Sequence, residues 1–308
     1  MRGFFFENYN FLTVFTFMII LAILVILNEI VRRSKISALF FNCLLPIFVV
    51  ILVACNIVHS PSSETWFGVV KTYSALLGVL GFMYIRYSKS PRKKFMYIFP
   101  FFILAFNIIE AVFKDITVFM DYKELTIDAA NIVVLGGSWN IINAIAGIFL
   151  ILTLTGFTSV FVSKNNSKDM IIPDMLWWWI IAYDIWNLSY CYNSISTRSF
   201  YAGLTLLLAS LLSELFFKKG AWLQHRAQQL ALFGMFSLCV DYQSLDAFGI
   251  IPTYNTNAWL ALSILSLTSC LMVLLYEIYV LTKYKRNIFK DSMYSHTKEY
   301  QIIVLENQ

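Results

Sequence analysis

The chain is short of charge. Of its 308 residues only 13% are Asp, Glu, Lys or Arg, against about 25% in a soluble domain, so a globule with a polar coat over its whole surface is excluded. Histidine is scarcer, three in all, and the H-E-x-x-H zinc helix, the G-x-x-x-x-G-K-[ST] nucleotide loop and the G-x-S-x-G nucleophile elbow are all missing. Ser138 does follow two glycines in "LGGSW", but no histidine falls at its depth to activate it. The five cysteines, Cys43, Cys55, Cys191, Cys239 and Cys270, include no C-x-x-C pair and no neighbouring histidine at ligand spacing. They read as small buried hydrophobes, not as disulfides or a metal site. The last apolar run has no lysine for a retinal Schiff base. Together these absences leave no cofactor and no metal implied. No internal repeat is visible, which weakens an inverted-repeat transporter architecture.

What the chain has in abundance is apolar surface: 59% of residues are hydrophobic and the mean hydropathy is +0.70. Several runs exceed the roughly 20 residues that span a hydrocarbon core of about 30 Å. They do not alternate in the short segments of a membrane β-barrel. The fold class is therefore all-α, a polytopic helical membrane bundle of about nine transmembrane helices. Spans are expected near 10–31, 37–58, 66–86, 95–114, 139–162, 175–195, 199–217, 221–241 and 258–282, followed by a partly ordered tail over 283–308. No small-residue cleavage site follows the first run, so it reads as a retained span.

Lys and Arg set the orientation, because cytoplasmic loops collect them. One face gathers Arg32, Arg33 and Lys35, then Arg86, Lys89, Arg92, Lys93 and Lys94, then Lys164, Lys168, Lys218 and Lys219, and finally Lys283, Lys285, Arg286, Lys290 and Lys298. The other has Arg2, Lys114, Lys123 and Arg198. An N-terminus outside and a cytoplasmic C-terminus follow, and the net charge of +5 has a topological cause that does not call for nucleic acid. Trp66 and Trp259 are expected as anchors at the outer interface, Trp177 and Trp222 at the inner one.

The apolar stretch from Asp128 to Lys164 is too long for one crossing at about 1.5 Å per residue. Gly136 and Gly137 are the expected break, with residues 127–135 a short re-entrant piece or an amphipathic helix lying on the bilayer.

Polar residues inside the spans point to function. In "WWWIIAYDIWNLSYCYN" (177–193), helical spacing puts Asp184, Asn187 and Cys191 on one face, beside an aromatic stripe of Trp179, Tyr183, Trp186 and Tyr190. Asp184 lies roughly 14 Å from the inner boundary, near the midplane, where a carboxylate costs about 2.5 to 3.5 kcal/mol. It either serves a solute or ion path or binds a neighbouring helix as interhelical glue. Toward the outside, Asn107, Asn140 and Asn143 are candidates to line a vestibule. Lys71 is near enough to the surface to extend outward, and Glu110 falls one turn from Lys114. Toward the inside, Gln224 and Gln228 share one face, His225 and Gln229 another, and Arg226 either reaches the cytoplasm or turns to Asp184. Glu29 with Arg33 and Glu214 with Lys218 are spaced as structural pairs, while Glu277 is an interfacial carboxylate or part of a cytoplasmic gate.

The tryptophan-rich span ending "YDIWNLSYCYN", followed by one opening "WLQHRAQ", resembles a family of uncharacterised bacterial multi-pass membrane proteins. The resemblance covers most of the chain, and the richness in Phe, Ile, Tyr and Asn fits a bacterial inner membrane. That family has no assigned activity, so no residue role is carried over.

The leading expectation is a small-solute permease or channel-like carrier. Its solute-binding groups are Asp184, Asn187, Tyr183, Trp186, Tyr190, Asn107, Asn140, Asn143, Gln228 and Arg226, and its partners are membrane lipid and a small polar or aromatic solute. The aromatic stripe would suit a flat solute, partly apolar or cationic. The alternatives are a membrane sensor or scaffold, and an intramembrane enzyme on lipid-linked substrate that uses Asp184, His59 or His225 as acid or base.

Overall fold

In hydrocarbon every backbone N–H and C=O must be satisfied within the chain, and long apolar runs meet that demand as helices. The computed structural model describes residues 3–88, 93–128 and 131–308. The readings placed on Arg2, Lys89 and Arg92, and on the side chains of Trp66 and Lys93, lie outside the described residues.

Helices form at all nine expected stretches. They are α1 Phe11–Arg33, α2 Lys35–Ala54, α3 Trp66–Tyr87, α4 Lys93–Asp121, α5 Ser138–Leu152, α6 Trp177–Ser194, α7 Ser196–Phe216, α8 Trp222–Cys239 and α9 Thr256–Tyr284. Their starts obey local chemistry: at α1 the Asn10 side chain accepts the Thr13 N–H (2.9 Å) while Thr13 Oγ1 accepts the Asn10 N–H (3.0 Å), a capping box.

Among the described residues six helices, α1, α2, α3, α4, α7 and α9, are long and apolar enough to cross a membrane. The bundle is that of a multi-pass integral membrane protein, with large apolar side chains such as Phe11, Ile36, Ile47, Phe102, Phe113 and Met272 facing outward. The 15 residues of α5 reach about 22 Å, short of a hydrocarbon core.

The other two, α6 and α8, are of a different kind. Twelve of the eighteen residues in each are buried, against six of twenty-three in α1. Their polar faces are tolerated because neighbours cover them. On one side α5 packs against α4 and α9, and α9 against α6. On the other, α3 and α7 pack against α8. The contact of α5 with its neighbours is close at Gly147, where a Cβ would stand 2.6 Å from Val112 Cγ2 and 2.9 Å from Trp186 Nε1. Gly147→Leu is therefore expected to cost about 1–3 kcal/mol by overpacking. An unchanged unfolding temperature in detergent would show that the contact is slack.

Three expectations are corrected. Among the described residues 127–135 form no helix. Strand β1 (Thr126–Ile127) pairs antiparallel with β2 (Val133–Val134), Asp128 accepts the Ile132 N–H at 3.0 Å, and Gly137 then caps α5; Ala129 and Ala130 lie outside the described residues. The span expected over 139–162 ends at Leu152, because Thr153 and Ser159 turn the chain through local hydrogen bonds into a hairpin of β3 (Phe161–Val162) with β4 (Met170–Ile171). The tail is docked rather than loose. Its helix α10 (Lys298–Asn307) buries Ile303, Asp174 accepts the backbone N–H groups of Met293 (3.3 Å) and Tyr294 (2.8 Å), and both of those side chains are buried. Gly220 makes the seat: its φ is +83°, and a Cβ there would lie 2.5 Å from Ile303 Cγ2.

The tryptophan anchors also shift. Trp177 is 53% exposed, whereas Trp222 and Trp259 are buried, the latter donating to the Tyr192 carbonyl at 2.8 Å. All five cysteines are free, but only Cys191 and Cys270 are buried and Cys55 is exposed.

Candidate solute cavity

Lys71 stands on the second turn of α3, counted from the end of the bundle where Arg198 lies. Arg226 stands on the second turn of α8, counted from the opposite end, where Asp169 lies. Both line one cavity, so the opening runs through most of the depth between α3, α4, α6, α7 and α8. It holds about 160 Å³ of room for water-sized centres, comparable with the ~150 Å³ of a cavity that accepts benzene.

The helices deliver its polar groups at helical spacing. From α6 come Tyr183, Asn187, Tyr190 and Cys191; from α4 comes Asn107; from the Arg198 end come Ser62, Ser237 and Tyr242. Lys71, expected to extend outward, turns inward instead: its Nζ donates to Asn107 Oδ1 and to Glu110 Oε2, each at 2.9 Å. Glu110 is thereby occupied away from Lys114, which pairs with Asp128 at 3.6 Å. At the mouth Arg198 donates to Ser62 Oγ (2.8 Å) and Gln243 Oε1 (3.2 Å).

Arg226 is the unusual member. It is 5% exposed, Nη2 donates to Asn187 Oδ1 at 3.3 Å, and Nε and Nη1 have no hydrogen-bond partner. Among the described residues both Asp184 carboxyl oxygens are buried with no hydrogen bond, and Asp184 does not line the cavity.

Five of the residues expected at a site therefore line the cavity: Tyr183, Asn187, Tyr190, Asn107 and Arg226. Trp186, Asn140 and Asn143 are engaged elsewhere, around a buried carboxyl that sequence reasoning missed. Asp115 on α4 accepts from Ser194 Oγ (2.5 Å), Asn143 Nδ2 (2.8 Å) and Asn140 Nδ2 (3.2 Å). Ser266 of α9 donates to Asn143 Oδ1 at 2.7 Å, and Trp186 Nε1 to the Asn143 carbonyl at 3.1 Å. Placing the fourth span at 95–114 put Asp115 just outside it; the i, i+3 pair Asn140 and Asn143 was the signal that a buried partner existed. Gln228 is buried but away from the cavity.

Toward the Asp169 end the cavity is closed. Trp222 meets Tyr183 at 4.9 Å and Trp179 at 5.7 Å between ring centroids. Beyond this plug lies a buried ionic knot. Arg32 binds Glu29 and Asp169, each at 2.7 Å, Arg33 also binds Glu29, at 2.8 Å, and Gln224 Nε2 donates to Asp169 Oδ1 at 3.1 Å.

Arg86 Nη2 donates to the carbonyls of Arg32 (2.5 Å) and Ser167 (2.9 Å). Burial pushes the Asp169 carboxyl up, but Arg32, Ser167 and Gln224 outweigh it and hold the group below the usual carboxylate range. His225 is held between Asn28 Nδ2 (2.9 Å) and the Lys218 carbonyl (3.3 Å), and neither it nor His59 lines the cavity. Glu214, spaced to pair with Lys218, accepts the Gly220 N–H at 2.6 Å instead. Among the described residues no group of three or more His, Cys, Asp or Glu is gathered for a metal ion.

A family of unknown function, DUF5692, matches residues 7–306. The chain belongs to DUF5692. That match spans the six membrane-length helices, both central helices and the docked tail, so the cavity lies wholly within the part that the DUF5692 family shares. No curated protein matches the chain, and no solved structure does.

Proposed function

We propose that this DUF5692 protein is a small-solute permease or channel-like carrier of the bacterial inner membrane, threaded nine times with its N-terminus outside and its tail in the cytoplasm. The observation that carries the reading is the cavity, which penetrates from the level of Lys71 to that of Arg226 and is lined by polar groups from five helices. A helix bundle built only to scaffold would gain by filling such a space, because voids cost stability. The excess of Lys and Arg in the loops of the Asp169 end supports a cytoplasmic position for that end. The cavity then faces outward, and the Trp179–Tyr183–Trp222 plug and the ionic knot form the closed inner gate. Asp184, buried without a hydrogen bond among the described residues, is the group whose environment would change when the gate opens.

The test is reconstitution into vesicles with uptake measured for solutes that raise the melting temperature of the purified protein. Saturable uptake is expected, and Trp222→Ala is expected to leak in both directions because the plug loses its largest ring. Binding without any flux, in wild type and Trp222→Ala alike, would sink the carrier reading.

A further inference from the structure

We propose that the cavity takes a small organic anion: a carboxylate, seated on Arg226, carried by an apolar body no larger than an aromatic ring. The inference deepens the reading above and rests on it only in that the cavity receives a solute.

The charges on the cavity wall favour an anion. Lys71, Arg198 and Arg226 line it, and among the described residues no Asp or Glu does. Lys71 is already balanced by Glu110 at 2.9 Å and Arg198 has neutral acceptors at the mouth. Arg226 is the group left over. Arg226 lines the cavity, and among the described residues two of its three nitrogens are buried without a hydrogen-bond partner, a state that costs the desolvation of a charged donor unless something in the cavity accepts from them. Asp184 accepts no hydrogen bond from the guanidinium.

A ligand carboxylate supplies what is missing, because a guanidinium presents its N–H groups in a fixed fork that carboxylates match. An organic cation would meet three positive side chains on the wall and, among the described residues, no carboxylate that itself lines the space. The rest of the wall sets the body of the ligand. Tyr183, Leu223, Leu230 and Phe233 surround the space near Arg226's own helix, and its volume is that of a ring plus one small substituent.

The experiment uses the full chain in detergent and three probes that share one ring: benzoate, benzamide and benzylamine, at millimolar concentration. Benzoate is expected to raise the melting temperature, with benzamide and benzylamine at least about tenfold weaker, as loss of a charge-assisted pair requires. Arg226→Lys should weaken benzoate by about tenfold and Arg226→Gln by more, with benzamide unaffected by either. If Arg226→Gln does not fold, the comparison of the three probes on the wild-type chain still decides. No benzoate shift, equal binding of benzamide, or benzoate binding indifferent to Arg226→Lys would each overturn the proposal. The two readings fail separately. Benzoate binding without flux removes the carrier and leaves the anion site, whereas flux of neutral or cationic solutes with no benzoate binding removes the anion site and leaves the carrier.

Discussion

Asp169→Ala is expected to destabilise the protein by about 3–5 kcal/mol, the cost of removing one partner from a buried ion pair and stranding the other. The carboxyl is fully buried, with Arg32 at 2.7 Å, Ser167 Oγ at 2.7 Å, Gln224 Nε2 at 3.1 Å and Arg86 at 3.9 Å. Without it, two guanidinium groups that are 6% and 0% exposed in their side chains lose their shared counter-charge. The effect reaches beyond the hairpin that carries Asp169, because the same oxygens tie α1, α3 and α8 together. Thermal unfolding in detergent measures it, and adding Arg86→Met should recover part of the loss, since one stranded charge is then removed while Arg32 keeps Glu29.

The same group gives a pH dependence of known sign. Its folded carboxyl sits below the ordinary value, so its contribution is present above about pH 4, the unfolded value, and is lost as pH falls through the folded one. The acid limb of the stability curve should flatten in Asp169→Asn. If that limb is unchanged, the knot is not what acid breaks.

The second large effect is expected at Asp115→Ala, about 3 kcal/mol or more, because three buried donors, Asn140 Nδ2, Asn143 Nδ2 and Ser194 Oγ, lose their acceptor at once. Asp115→Asn should cost less, since one side-chain oxygen still accepts. The network joins α4, α5 and α6, and through Ser266 also α9, so its loss should loosen the half of the bundle remote from the ionic knot. The cavity should respond less: none of these residues lines it. A probe that binds the wild type should therefore keep its affinity in Asp115→Asn at temperatures where that variant is folded. A loss of binding equal to that of the Arg226 variants would mean that the two sites are not independent.

Several features were legible without coordinates because they depend on composition and local spacing. Apolar length located the helices to within a few residues at most ends, and helical periodicity put Asp184, Asn187 and Cys191 on one face of α6, of which Asn187 and Cys191 line the cavity and Asp184 does not. Spacing also found Glu29 with Arg33. It failed where the choice lay between two local partners and a distant one. Glu110 had Lys114 one turn on and took Lys71 from another helix; Glu214 had Lys218 one turn on and took the Gly220 N–H. A pair one turn apart is worth only a few tenths of a kcal/mol, so any buried alternative overrides it.

The polar composition of α6 and α8 already required that both be shielded, since lipid cannot satisfy Asp184, Asn187, Gln224 or Arg226. Which groups do the shielding was decided by tertiary packing. Asn140 and Asn143, alike with Asn107 in the sequence, turned out to serve Asp115, while Asn107 serves Lys71 at the cavity wall. The physical reason is that hydropathy and period are properties of one helix and its solvent, whereas a hydrogen bond across helices depends on depth and rotation, which are set only when the helices pack against one another.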